Sequence, residues 1–406
     1  MPFRIALSGL NAASADLNVT ANNIANVNTT GYKESRSEFA DLFPISSYGL
    51  SSNSTGIGTT VARVSQQFEQ GAISTTGNAM DLALSGEGFF TLSDNGSTVY
   101  TRAGAFGTDR NGYVVNASGQ RLQVFPPVAG SDSFDTARLT DLQLLTADNP
   151  PSASTRLDAD FNLPANALPP ATTPFSATDP TSYSHTTSVT VYDSLGVAHS
   201  ANLYFIKGAA PNAWDVQVQI DGTDVGGLNP LTYSDTGELL TPAGGLLSLP
   251  AHTTTTGAAP LSLTLALDGS TQFGSSFGVA SLQQDGYASG RLTGVEITQE
   301  GVVQARYTNG QAIPLGQLAL ANFSNPQGLQ QLGNSSWGET YASGQVIRGP
   351  AGSTNFGLVQ SGALEASNVD LTEQLVNMIT AQRNFQANAQ MISTADQVTQ
   401  TILNIR

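Results

Sequence analysis

Helical periodicity is confined to the two ends of the 406-residue chain. At the N-terminus, small or apolar residues recur at Phe3, Ala6, Leu10, Ala13, Leu17, Thr20, Ile24 and Val27. The steps alternate four and three, the a/d spacing of a coiled coil. Pro2 suits a helix start and Gly31 a helix stop, which predicts one helix of about 39 Å between them. Toward the C-terminus, Leu364, Leu371, Met378, Phe385 and Ile392 fall seven apart, with Leu375 and Ala389 in the second seam position. The register slips at Val398, Ile402 and Ile405. Asp370 and Glu373 have the spacing of a capping box, and Asn368 is a second candidate cap. These signals predict a helix over about 370–404.

The outward faces of both helices are polar but nearly uncharged. Residues 1–30 carry only Arg4 and Asp16 as charges, against the amides Asn11, Asn18, Asn22, Asn23, Asn26 and Asn28. Gln and Asn likewise dominate the C-terminal helix. Asn lowers helix propensity by up to about 0.7 kcal/mol per residue, whereas an amide can bond a neighbouring helix without burying charge. One reading is a pair of polar surface helices in a bundle. The other, which the amide content favours, is a pair that frays in the single chain and orders when many copies pack.

Between the ends the pattern switches to period two. Residues 46–60 form a Ser/Gly/Thr-rich joint. Beyond it, runs at 88–92, 98–101, 113–115 and 121–124 alternate with Asn-Gly and Ser-Gly turns, the spacing of hairpins. A Pro/Ala/Thr-rich boundary from Asn149 to about Pro180 precedes further strand-like runs at 188–192, 201–206, 214–220 and 261–267, and then 292–323. Pairing the two seams would bring the termini together and loop out the middle. The predicted fold class is α+β and multidomain, with terminal α-helices forming a coiled-coil-like inner domain and nested β-rich outer domains. Its parts are a helical inner domain at 1–32 plus 363–406, a flexible Ser/Gly-rich linker at 33–72, a discontinuous first β domain at 73–148 plus 285–362, and an inserted outer β domain at 149–284.

Charge and chemistry narrow the function classes. A net charge of −16 argues against a nucleic-acid partner, which needs a basic face. Only 11% of residues are charged, a surface suited to packing against copies of itself. The absence of cysteine excludes disulfides and thiolate sites. No apolar run approaches the roughly 20 residues of a membrane helix, so no membrane insertion is expected. The N-terminus lacks the apolar core of a cleavable signal peptide. His185, His199 and His252 show no metal-ligand spacing and are expected to be solvated loop residues. Asp109-Arg-Asn-Gly112 resembles the opening of a calcium loop but lacks its later ligands, so a hairpin turn is the reading. Asp193 and Asp224 are candidate paired carboxylates, with turn capping the simpler role. No catalytic, metal or cofactor-binding residue is assigned, and the chain is not expected to be an enzyme.

Leu17-Asn-Val-Thr-Ala-Asn-Asn-Ile-Ala-Asn-Val-Asn-Thr-Thr-Gly-Tyr-Lys33 resembles the N-terminal signature of the flagellar rod and hook protein family. Ser367-Asn-Val-Asp-Leu-Thr-Glu373 and Ile379-Thr-Ala-Gln-Arg-Asn-Phe-Gln-Ala-Asn388 resemble that family's other end. The motif positions carried over are Asn23, Ala25, Asn26, Gly31, Tyr32, Asn368, Gln382, Arg383 and Asn388. Leu84-Ser-Gly-Glu-Gly-Phe-Phe90, Tyr100-Thr-Arg-Ala-Gly-Ala-Phe106 and Tyr307-Thr-Asn-Gly310 are similar to its first β domain, and the large insertion with Val191-Tyr-Asp-Ser-Leu-Gly196 and Trp214 resembles the hook side of the family rather than the rod side. The resemblance implies a structural subunit of a curved, flexible, self-assembling extracellular tube that couples rod to filament and transmits torque. The alternatives are a distal rod protein and a secreted β-rich carbohydrate-binding protein. The implied partners are copies of the chain itself, the distal rod protein, the hook cap protein, the hook–filament junction protein, the flagellar type III export apparatus and the hook-length control protein. In such a tube the terminal helices would line the axis and bury Leu10, Leu17, Ile24, Val27, Leu371, Leu375, Met378, Phe385 and Ile392 between subunits.

Overall fold

A computed structural model describes residues 2–43, 56–131, 133–144 and 148–404. Helix α1 spans Pro2–Ala25 and helix α2 spans Leu371–Asn404, with a β-rich body between them. The two helices are antiparallel neighbours. Asn23 near the end of α1 donates to Gln374 near the start of α2 at 3.1 Å, while a side chain on Gly9 would collide with Asn388. Both helices are continuous in the single chain, where the amide content predicts fraying. Pairing is the physical reason: it buries Ala6, Ala13, Thr20 and Asn23 of α1 and Gln374 and Ala381 of α2, and tertiary packing outweighs propensity. Helix α1 ends before the expected stop at Gly31, because Asn26 turns its side chain back onto the Asn22 carbonyl at 2.9 Å and competes with the helical ladder. At α2 the Asp370 carboxylate accepts from the Thr372 and Glu373 amides at 2.7 and 3.2 Å, so Asp370 is the cap.

The stretch 33–72, expected as a flexible linker, differs from that expectation in its described residues. Strands β1 (Ser35–Leu42) and β2 (Gly58–Gln66) pair antiparallel from Ser35↔Gln66 to Leu42↔Gly58. The run Thr59-Thr-Val-Ala-Arg-Val carries β-branched residues that favour a strand. Glu38 and Arg63 pair across the ladder at 2.7 Å, and the Thr59 amide donates to Ser8 of α1 at 3.2 Å. Residues 46–55 of the expected joint lie outside the described residues, as does Ile405.

The chain divides into two compact units, one of Met1–Thr146, Gly294–Arg306 and Ala312–Arg406, the other of Ala147–Thr293 and Tyr307–Gln311. In the first unit, Phe89–Asp94 sits between Ser97–Thr101 and Arg121–Phe125, and the sheet continues through Ala312–Leu318 on one side and Ser336–Gly338 on the other. Leu82, Phe90, Leu92, Val124 and Leu320 pack on one side of it, and an edge-to-face group of Phe89, Phe68 and Trp337 forms a second core. Chain ends travel together through this unit: Ile73–Thr75 pairs with Ala363–Glu365, and Leu82–Ser85 with Leu358–Ser361.

The second unit holds a five-strand antiparallel meander running His185–Tyr192, Ala198–Lys207, Ala213–Ile220, Thr223–Tyr233 and Leu239–Thr241. A second sheet centres on Arg156–Pro164, flanked by parallel Thr264–Ala266 and Thr271–Phe273 and by antiparallel Gly278–Gln284. The two sheets share one core around Phe161, Leu203, Phe205, Trp214, Val216 and Leu265.

Candidate assembly interface

The base of the helix pair is tied to the first unit by one buried carboxylate. Glu365 is wholly buried; Lys33 donates to its Oε1 at 2.7 Å and Arg102 to its Oε2 at 3.2 Å. The Gly71 amide adds a bond to Oε1 at 2.9 Å, Lys33 also donates to the Glu69 carbonyl at 2.6 Å, and Arg102 to the Gly86 carbonyl at 2.8 Å. Burial pushes the Lys33 amine and the Arg102 guanidinium below their usual ranges, and Glu365 opposes that shift in both. Segments just after α1 and just before α2 are thus clamped onto the body by a buried ion network in which both Glu365 oxygens are paired and, among the described residues, the Arg102 Nε has no partner.

Two asparagines complete the clamp. The Asn23 side chain donates to the Ser35 carbonyl at 2.7 Å and accepts from the Ser35 amide at 3.0 Å, treating β1 as another strand would. Tyr32 donates to Asn23 Oδ1 at 3.2 Å. Asn368 accepts from the Glu34 amide at 2.7 Å and donates to the Gln67 carbonyl at 2.9 Å, so it bridges both sides of the hairpin rather than capping α2. Gly31 has φ +66, and an added Cβ would lie 2.5 Å from the Ala103 amide nitrogen. Only glycine fits both constraints.

Along the helix pair the packing is inverted relative to an ordinary bundle. Small residues (Ala6, Gly9, Ala13, Ala381) lie between the helices, whereas large apolar side chains face outward. Leu371 and Leu375 are 44% and 45% exposed, Val376 59% and Ile379 49%. At the other end an apolar groove of about 800 Å³ is lined by Phe3, Met391, Val398 and Ile402. So much exposed apolar surface on one element marks an interaction face.

Of the packing positions expected from the periodicity, Leu10, Leu17, Ile24, Val27, Met378, Phe385 and Ile392 are half-buried, and Leu371 and Leu375 are exposed. Of the motif positions, Asn23, Gly31, Tyr32 and Asn368 gather at the clamp, Asn26 ends α1, and Asn388 lies against Gly9. Ala25, Gln382 and Arg383 are exposed. Sequence reasoning missed Lys33, Arg102 and Glu365 as a unit. The available signal was a lysine beside the helix end in a chain with so few.

Elsewhere, the Asp109 carboxylate accepts from the Asn111 and Tyr113 amides at 2.8 Å, which makes Asp109-Arg-Asn-Gly112 a turn. The expectation of solvated loop histidines fails at His185, which lies in a strand and stacks on Phe277, and at His199, which is 6% exposed and contacts Asp221 at 2.6 Å and Asp193 at 3.2 Å. The reason is tertiary: the meander brings the 193–197 turn and the Asp221 turn onto one strand residue. Asp224 takes no part there and accepts from Gln219 at 2.7 Å.

The chain is similar to several flagellar families. Residues 3–33 match the flagella basal body rod protein family, 83–168 the flagellar hook protein FlgE/F/G D1 domain, 162–287 the flagellar basal body protein FlaE D2 domain, and 360–405 the flagellar basal body rod FlgEFG protein C-terminal family. It is 40% identical to the flagellar hook protein FlgE of Salmonella typhimurium over 100% of both chains, and 39% identical to that of Escherichia coli K12 over 100% of both. The flagellar hook protein FlgE of Borreliella burgdorferi is 34% identical, with 98% of each chain covered. The crystal structure of the Helicobacter pylori flagellar hook protein FlgE2 aligns with a TM-score of 0.56 at 15% identity, covering 72% of this chain and 100% of that one, a likeness of fold.

Proposed function

Because the chain belongs to the flagellar hook protein family, we propose that its helix pair is the self-assembly element of the hook and that its β units form the outer wall. The chain is a structural subunit of the flagellar hook and not an enzyme. The observation that carries the assembly reading is the row of outward-facing apolar residues on α2, namely Leu371, Leu375, Val376 and Ile379, which the single chain leaves uncovered. Copies packed around an axis would cover them, together with the half-buried Leu10, Leu17, Ile24, Val27, Met378, Phe385 and Ile392, in coiled-coil-like contacts. The outer β units would then be nested on this inner tube, and low surface charge would let them slide as the tube bends, since dense ion pairs would lock one register. Export through the flagellar type III apparatus, growth under the hook cap protein, and contacts with the distal rod protein, the junction protein and the length-control protein accord with this reading.

Leu375→Asp and Ile379→Asp test it. Each is expected to leave the melting curve of the single chain unchanged and to abolish tube formation, read by sedimentation and electron microscopy. Tubes at normal yield would overturn the assignment of the face. A distal rod subunit is the alternative, which shares the matches at both ends but not the full-length likeness to hook proteins. Immunogold labelling of basal bodies with antibody to residues 150–280 separates the two: gold on the curved segment supports the hook, gold on the straight rod does not.

A further inference from the structure

We propose that His199 is a proton-operated clasp at one end of the second β unit: protonated, it holds Asp193 and Asp221 together, and on losing its proton it releases Asp221. The geometry is explicit. The imidazole sits between two carboxylates, with Nδ1 2.6 Å from Asp221 Oδ2 and Nε2 3.2 Å from Asp193 Oδ2. Only the imidazolium has two N–H donors; the neutral ring keeps one and turns a lone pair toward the other carboxylate.

The two arms are unequal. Asp193 is wholly buried and has other donors, the Thr256 hydroxyl at 2.7 Å and the Leu195 and Val197 amides at 2.9 Å. Burial works against its ionisation, yet these bonds and the one from His199 together hold its carboxyl down at about 2. It therefore stays charged and keeps the single proton of a neutral ring. Asp221 has a side chain 52% exposed and, among the described residues, has besides His199 only the Ser200 amide at 2.9 Å. His252 acts on it electrostatically. Water can replace the imidazole there, so this is the arm that opens. The clasp joins the 193–197 turn, the loop carrying Thr256 and the positive-φ turn residue Asp221, so its release frees the Asp221 turn.

Burial alone would lower the His199 value, but the hydrogen bonds and charges of Asp221 and Asp193 outweigh it and raise it. For a raised value the contribution to stability is complete below the ordinary imidazole value of about 6.5 and is lost as pH rises through the raised one. The clasp is closed in acid and opens toward alkali.

The test is a titration of the full-length chain labelled with ¹⁵N-histidine, from about pH 5 to about pH 10. His185→Gln and His252→Gln assign the signals, so no clasp residue need be altered for assignment. The expected result is that both His199 nitrogens remain protonated above about pH 6.5, that Asp221→Asn lowers the midpoint by about one pH unit, and that amide exchange at Gly222 above the native midpoint rises faster with pH than hydroxide catalysis alone produces. A His199 midpoint at or below the ordinary value, or one unmoved by Asp221→Asn, would overturn the proposal.

Discussion

At the residue scale the chain concentrates its few charges where they fix geometry. Lys33, Arg102 and Glu365 are distant in sequence, yet all three are buried around one carboxylate. Removing one partner of such a network leaves the others buried and uncompensated, which costs about 3–5 kcal/mol. Glu365→Ala is accordingly expected to lower the urea midpoint of the first unit sharply while leaving the second unit's core, which contains none of these residues, intact. Near-UV signal from Trp337 and Trp214, one in each unit, separates the two transitions. Asn23 and Gly31 stand out in the sequence as parts of a motif. Their reasons lie in space: a side chain that mimics a strand partner, and a backbone pressed against Ala103.

Elements tell a different story about what can be read from pattern. The heptad spacing located α2 closely and the start of α1, but carried α1 past its end at Ala25 toward Gly31, because periodicity survives any packing arrangement whereas a helix end is set by local side-chain bonds. It also named Ala6, Ala13 and Thr20 among the seam positions that become buried. It did not say that the small residues would meet inside the pair while Leu371 and Leu375 stayed outside, since which stripe faces a partner depends on where the partner lies. Ala381, like Ala6, marks the inner stripe at 1% exposure. Ala381→Leu should overpack that contact and destabilise the pair by about 1–3 kcal/mol, whereas Val376→Ser on the outer stripe should stay within about 0.5 kcal/mol. Circular dichroism at 222 nm during urea unfolding compares the two. Equal effects would refute the inverted packing. The hairpin of β1 and β2 was hidden by its Ser/Gly/Thr-rich neighbourhood, although the β-branched run from Thr59 carries a strand signal.

For the whole molecule, the second unit draws its core from residues between Leu157 and Leu267, and a self-contained core predicts independent folding. A fragment of residues 148–293 is expected to melt cooperatively by calorimetry with its β-rich circular dichroism intact; a non-cooperative profile would show that it depends on the rest of the chain. Sequence alone determined the helices at the ends, the β-rich middle and the family, because periodicity, turn chemistry and motif strings are local properties. Tertiary structure alone decided the three-charge clamp, the outward-facing apolar stripe and the clasp at His199. Each of these joins residues far apart in the chain or on separate turns, and no local pattern records which distant side chains the fold will bring within hydrogen-bonding distance.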